Sequence, residues 1–246
     1  MTTPSGKDPA QAVEIRRSGD RGESRNGWLH SRFSFSFADY YDPDQMGFGP
    51  LRVINEDRVA PASGFQPHSH QNMEIVTIVL QGALSHEDST GGQGVLRAGE
   101  VQTMTAGTGV VHSEMNASPD EPVHFLQIWI IPERRGLHPG YTQRRIVPED
   151  AKLAPGRFVP VASGRGEPDA LPIHQDASIR IGAFEAGGSS KQSVGSGRRA
   201  YVHFIDGAGS VNGAALEGGD AVKLVDPGAV TIAARTPARV LFFDLP

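Results

Sequence analysis

Two short stretches carry side chains able to bind a metal ion: His68-Ser69-His70 and His112-Ser113-Glu114. Along an extended strand, residues i and i+2 project from the same face. His68 and His70 then present two imidazoles side by side, and His112 and Glu114 present an imidazole beside a carboxylate. If the two strands are neighbours, four ligand-type side chains converge on one point. Three neutral nitrogens and one carboxylate suit Fe(II), Mn(II), Ni(II), Cu(II) or Zn(II). Both stretches lie within residues 64–114, and the rest of the chain reads as the frame that positions them.

Other residues of the same types have blander readings. Glu74 shares strand parity with His68 and His70, but reads as a partner that orients a histidine or as a strand end. His86 beside Glu87-Asp88 reads as a solvated hairpin. His124, His138, His174 and His203 lack companions at ligand spacing. Phe33, Phe35 and Phe37 read as barrel wall, while Phe48, Met73 and Met104 are open candidates for a pocket mouth. Ser113 alternates away from its two neighbours, and no Ser/His/Asp arrangement is legible. Gly107-Thr108-Gly109 is followed by no Lys and leads into a strand, so it is no phosphate loop.

The frame is β-type. Glycine (30) and proline (18) are abundant in the 246 residues, which favours short strands joined by turns over helices. Residues 13–16, the alternating Phe33-Ser34-Phe35-Ser36-Phe37 run and residues 51–54 each predict a strand, with loops over 17–27 and 55–64. Residues 74–80 are nearly all apolar and predict a strand buried on both faces. A hairpin strand over 83–88 with its turn at 89–92, a strand at 101–104, a tight bend at 107–109 and a long run over 124–131 complete the block. Strands at such even spacing make a sandwich or barrel.

A second block repeats the first. Val79-Leu80-Gln81-Gly82 resembles Phe204-Ile205-Asp206-Gly207, Gly99-Glu100-Val101 resembles Gly219-Asp220-Ala221, and Ala106-Gly107 resembles Pro227-Gly228. The same offsets place the ligand counterparts near Ser193, Gly195, Ile232 and Ala234, so the second copy is expected to bind no metal. The reading is all-β: two antiparallel β-barrels in one chain. It divides into a disordered lead-in (1–12), a metal-binding barrel (13–134), a connector (135–172) with one short helix near 149–153, and a barrel without ligands (173–246).

Composition narrows the classes. The net charge of −5 offers no basic surface for a phosphate backbone, so no direct nucleic-acid binding is expected. With no cysteine, disulfides, thiolate metal sites and cysteine nucleophiles are all excluded. Residues 1–12 lack an apolar signal core, and no run of about 18 apolar residues occurs. A cytoplasmic protein that does not enter a membrane is the expectation.

The His-x-His and glycine-flanked His pattern over turn-separated strands resembles the cupin superfamily, and within it the pirin family. The resemblance is carried by the text over 33–43 and 46–55, by His68-Ser69-His70 with Met73-Glu74-Ile75-Val76-Thr77, by Thr105-Ala106-Gly107-Thr108-Gly109-Val110-Val111-His112-Ser113-Glu114, and by Gln127-Ile128-Trp129-Ile130. It covers most of 28–146; the second half matches by layout and by its Leu241-Phe242-Phe243-Asp244-Leu245-Pro246 ending. It implies a bicupin with one metal, and the family's ligand pattern falls on His68, His70, His112 and Glu114. It also implies Fe(II) as the first candidate, with Zn, Ni, Mn, Cu or Co fitting the same ligands. The implied activity is quercetin 2,3-dioxygenase: a flavonol and O2 as substrates, with Glu114 as ligand and base. The family also contains iron-dependent transcription cofactors. The alternative reading is therefore a redox-responsive binding protein with a protein partner and no turnover.

Overall fold

The computed structural model describes residues 13–146 and 154–246. The expected lead-in (1–12) and the helix expected near 149–153 lie outside the described residues. In chain order the strands are β1 (Glu14–Arg16), β2 (Gly22–Asn26), β3 (Leu29–Phe33), β4 (Leu51–Val59), β5 (Gly64–His70), β6 (Glu74–Gln81), β7 (Ala83–Asp88), β8 (Gln93–Arg97), β9 (Glu100–Thr105), β10 (Val110–Asn116), β11 (Val123–Ile130) and β12 (Gly140–Arg145). The second half adds β13 (Phe158–Ser163), β14 (Leu171–Pro172), β15 (Ser178–Phe184), β16 (Ser189–Ser193), β17 (Arg199–Asp206), β18 (Ala208–Val211), β19 (Ala214–Glu217), β20 (Ala221–Val225), β21 (Ala229–Ala234) and β22 (Ala238–Leu245). Among the described residues there is no α-helix, and no helix long and apolar enough to cross a membrane.

Each half pairs a seven-stranded sheet with a four-stranded one. The first half runs β12-β9-β6-β11-β4-β3-β2 over β5-β10-β7-β8, and the second β1-β20-β17-β22-β15-β13-β14 over β16-β21-β18-β19. The two orders superpose strand for strand at their centres: β9, β6, β11 and β4 correspond to β20, β17, β22 and β15. The repeat read in the sequence is therefore a structural repeat. Gly82 and Gly207, at φ of +76° and +78°, end the matching strands β6 and β17 in the left-handed region. A Cβ at Gly82 would meet the Pro122 carbonyl oxygen at 2.7 Å, so both the dihedral and the close approach require glycine.

The two seven-stranded sheets pack against each other. Ile54, Val76, Ile78, Leu126 and Ile128 from one half meet Ile179, Ile181, Tyr201, Leu241 and Phe243 from the other in the largest apolar cluster. The alternation on these strands sends one set of side chains to this shared core and the other into a barrel interior.

Several expectations are corrected. Only Phe33 of the alternating 33–37 run lies in a strand. After it the chain turns, with Ser34 N–H donating to the Ile54 carbonyl and Ser36 N–H to the Gln45 carbonyl, and Ala38 adopting φ of +49°. Phe35 reaches the shared core, while Phe37 turns inward. The segment 17–27 is a 3-10 turn and a strand, not a loop, and the strand expected at 51–54 runs on through Val59. The stretch 135–172 supplies strands to both halves: β12 pairs with β9, and β13 with β15. The first strand, β1, joins β20 of the second half. That pairing ties the start of the described chain to its far end.

Candidate metal centre

β5 and β10 are antiparallel neighbours, with His68 opposite His112 and Val110 opposite His70. A register shift between His112 and Glu114 sets Glu114 opposite Phe65. The extra residue is on β5, so β10 alternates without a break and His112 and Glu114 both point into the barrel. The ligand nitrogens of His68, His70 and His112 lie within 4.8 Å of one another. Glu114 does not join that trio at that distance; it groups instead with His112 and His86.

Hydrogen bonds fix the ring states. His68 Nδ1 lies 2.8 Å from the Gln66 carbonyl oxygen, to which it donates, leaving the lone pair on Nε2. His86 Nε2 lies 2.9 Å from Asp88 Oδ2 and donates to it, so its Nδ1 is the acceptor. That acceptor faces His112 Nδ1 at 3.5 Å, a long contact that favours the proton there and a free Nε2. His112 Nε2 then meets His68 Nε2 at 3.0 Å. Two lone pairs at this separation repel unless a cation lies between them. Nitrogens about 2.1 Å from one shared ion span such a gap, so the donor set fits a metal. Burial holds His70 down at about 4 and His112 at about 2, with the neighbouring imidazoles adding to it. Both rings are thus neutral and ready to coordinate through most of the acid range.

Glu114 is buried under a row of side chains running across the large sheet. Gln127 pairs with Thr77, and Thr77 with Gln102. Gln127 Nε2 donates to Glu114 Oε2 at 2.7 Å and Gln102 Nε2 to Oε1 at 3.3 Å. The Thr77 hydroxyl lies 2.7 Å from Gln127 Oε1 and 3.5 Å from Glu114, so its single proton serves the glutamine. Burial pushes Glu114 up to about 8, helped by the nearby Asp57 charge and opposed by these donors. A carboxyl poised there exchanges a proton near neutrality.

A cavity of about 190 Å³ opens on this group, lined by His68, His70, Glu114 and Gln127 and walled by Phe33, Phe37, Phe65 and Trp129. The ring of Trp129 stands edge-on to His70 with centroids 4.9 Å apart. Two of the phenylalanines read as barrel wall therefore face the cavity. Phe48 packs in the shared core, and Met73 and Met104 pack around Ile75 and Val110, so none of these three forms the mouth.

Sequence reasoning missed the supports. His86 is 1% exposed rather than solvated, and its ring stacks on Tyr141 at 4.5 Å. The alternation on β7 that buries Leu84 and His86 together was the available signal. Glu74 lies outside the barrel: Thr105 Oγ1 and the His174 backbone N–H donate to it at 2.9 and 3.2 Å. Residues 71–73 break the strand between His70 and Glu74, so parity does not carry across. His124 bonds Glu56 at 3.0 Å, and His203 is fully buried.

Two stacked antiparallel barrels, one with an imidazole-lined cavity whose donors could hold a metal ion, define a bicupin. The sequence families agree: the family described as Pirin matches residues 14–130, and the one described as Quercetinase C-terminal cupin domain matches 160–245. The chain belongs to the pirin family. It is 39% identical over 234 residues to the quercetin 2,3-dioxygenase of Escherichia coli K12, covering 95% of this chain and 99% of that one. A pirin-like protein of Caulobacter vibrioides is 39% identical over 224 residues, covering 91% and 95%. The crystal structure of the bacterial pirin YhhW from Escherichia coli in complex with nickel(II) superposes with a TM-score of 0.89 at 39% identity, covering 96% and 99%.

Proposed function

We propose that this protein is a mononuclear, metal-dependent dioxygenase that opens a flavonol such as quercetin with O2, releasing carbon monoxide. The observation that carries the reading is the pair of imidazole lone pairs held 3.0 Å apart at the wall of an aromatic cavity that also contains Glu114. On this reading His68, His70, His112 and Glu114 hold one divalent ion, with Fe(II) the first candidate and Zn, Ni, Mn, Cu or Co fitting the same donors. The names of the relatives support the flavonol, and the nickel complex supports a divalent metal.

When bound, the ion supplies a Lewis acid that favours the deprotonated form of the flavonol 3-hydroxyl. The rest is done by the chain. Phe33, Phe65 and Trp129 hold an aromatic ring at the histidines. Glu114 takes the 3-hydroxyl proton on a carboxylate oxygen, and the Gln127 and Gln102 amides hold that carboxylate in place. Its elevated proton affinity matches the task, since a base titrating near the working pH both binds and releases the proton.

The test is turnover of quercetin with O2 uptake by wild type and His70→Ala, after anaerobic metal loading and metal analysis. Metal-dependent flavonol loss that disappears in the variant is expected. A bound metal with no turnover on any flavonol would sink the reading and favour a redox-responsive binding protein.

A further inference from the structure

The wall of the cavity away from the histidines is polar in a way that metal binding does not use. On β3 and β4, toward the β2 edge of the sheet, Ser31, Asn55 and Asp57 all line it. Asn55 and Asp57 are 3% and 4% exposed. Among the described residues, the only side-chain partner of Asp57 is the Ser31 hydroxyl, which donates to Oδ1. Asn55 Oδ1 and Trp129 Nε1 are buried without any hydrogen-bond partner. No lysine or arginine lines this cavity to neutralise Asp57.

Buried polar atoms left without partners are costly, and a ligand that supplies the missing bonds recovers that cost. Here the orphan acceptor is Asn55 Oδ1, beside the Asp57 carboxyl, and the orphan donor is Trp129 Nε1. The complement is a ring bearing hydroxyl donors, with one acceptor turned toward Trp129. Sites built to bond a hydroxyl discriminate strongly against the analogue that lacks it.

We propose that Ser31, Asn55 and Asp57 form a hydroxyl-recognition subsite that selects polyhydroxylated aromatic substrates by the ring hydroxyls remote from the chelating oxygen. This rests on the flavonol reading above and specifies which members of that class are taken. Asp57 and Asn55 would be specificity-determining residues that touch the substrate without touching the metal.

The experiment compares quercetin with 3-hydroxyflavone, which keeps the chelating 3-hydroxyl and lacks the others. Both are titrated anaerobically into metal-loaded protein, and the dissociation constants are read from tryptophan fluorescence quenching, so no turnover is needed. Wild type is expected to bind quercetin about tenfold more tightly or better. Asp57→Asn and, separately, Asn55→Leu should bring the ratio toward one while leaving 3-hydroxyflavone affinity and metal content unchanged. Retained metal marks each variant as folded. Equal binding of the two flavonols by wild type, or an unchanged ratio in both variants, would overturn the subsite alone. Binding of neither flavonol would overturn it together with the reading it rests on.

Discussion

The two barrels share one frame and fill it differently. In the first, the row across the large sheet reads Gln127, Thr77, Gln102 and holds Glu114. At the matching positions of the second the row is Phe242, Val202, Val222. Ile232 lies opposite Val211 as Glu114 lies opposite His86, so Ile232 stands where Glu114 does and Val230 where His112 does, rather than Ala234 and Ile232. Strand register pairs Ile232 with Ser190 and Val230 with Gln192. Ser190 therefore matches Phe65, Gln192 matches His68 and Val194, two residues on, matches His70, in place of Ser193 and Gly195. Val202, Phe204, Val222, Ile232 and Phe242 close the second interior as one apolar cluster. In the first, the interior apolar residues split into two small clusters, one around Leu84 and Phe125 and one around Ile75 and Met104. The candidate metal centre is therefore more than a few ligand-type residues added to a barrel. It needs a cluster of buried polar side chains that satisfy one another, and the second barrel forgoes all of them for packing.

Removing a ligand from the first barrel has the largest expected effect. His112→Ala should lose stoichiometric metal by elemental analysis and bring flavonol turnover to background. Glu114→Gln keeps the shape and removes the base. Turnover should fall roughly 100- to 10,000-fold, while metal analysis still finds the ion on the three histidines. The support behind His112 comes next. His86→Ala should weaken metal binding roughly 10- to 100-fold, measured by competition with a chelator, with the fold unchanged by circular dichroism.

Mutation of the second barrel should do the reverse. Phe242→Gln, which copies the first barrel's residue, gains no metal and costs about 3–5 kcal/mol of stability by denaturant unfolding. A smaller effect tests the interface between the halves. His203 is fully buried with both ring nitrogens unpartnered, and burial beside Arg21 lowers it to about 3. Between pH 6.5 and 3 the unfolded chain binds a proton there that the folded chain does not, so stability is lost as pH falls through that window. His203→Leu should flatten this part of the melting-temperature profile relative to wild type.

What the sequence made legible was local. His68 with His70 and His112 with Glu114 stand out because a strand's period of two is visible within three residues. The glycine bends at Gly82, Gly99 and Gly107 stand out because each needs a positive φ. Thr77, Gln102 and Gln127 were not legible, because their meeting depends on the register of three strands far apart in the chain. Asn55 was hidden in a segment read as a turn. His86 was misread because two acidic neighbours suggested solvent, although one of them, Asp88, is the buried partner that fixes its ring. The strand expected over 33–37 failed because Ser34 and Ser36 bond outward to Ile54 and Gln45 instead of continuing a ladder.

The most direct test of the central claim is the metal stoichiometry of the whole chain, by elemental analysis after anaerobic loading and desalting. One ion per chain is expected in wild type, one in Phe242→Gln, and none in His112→Ala. Two ions per chain, or an ion retained by His112→Ala, would contradict the division of labour between the barrels.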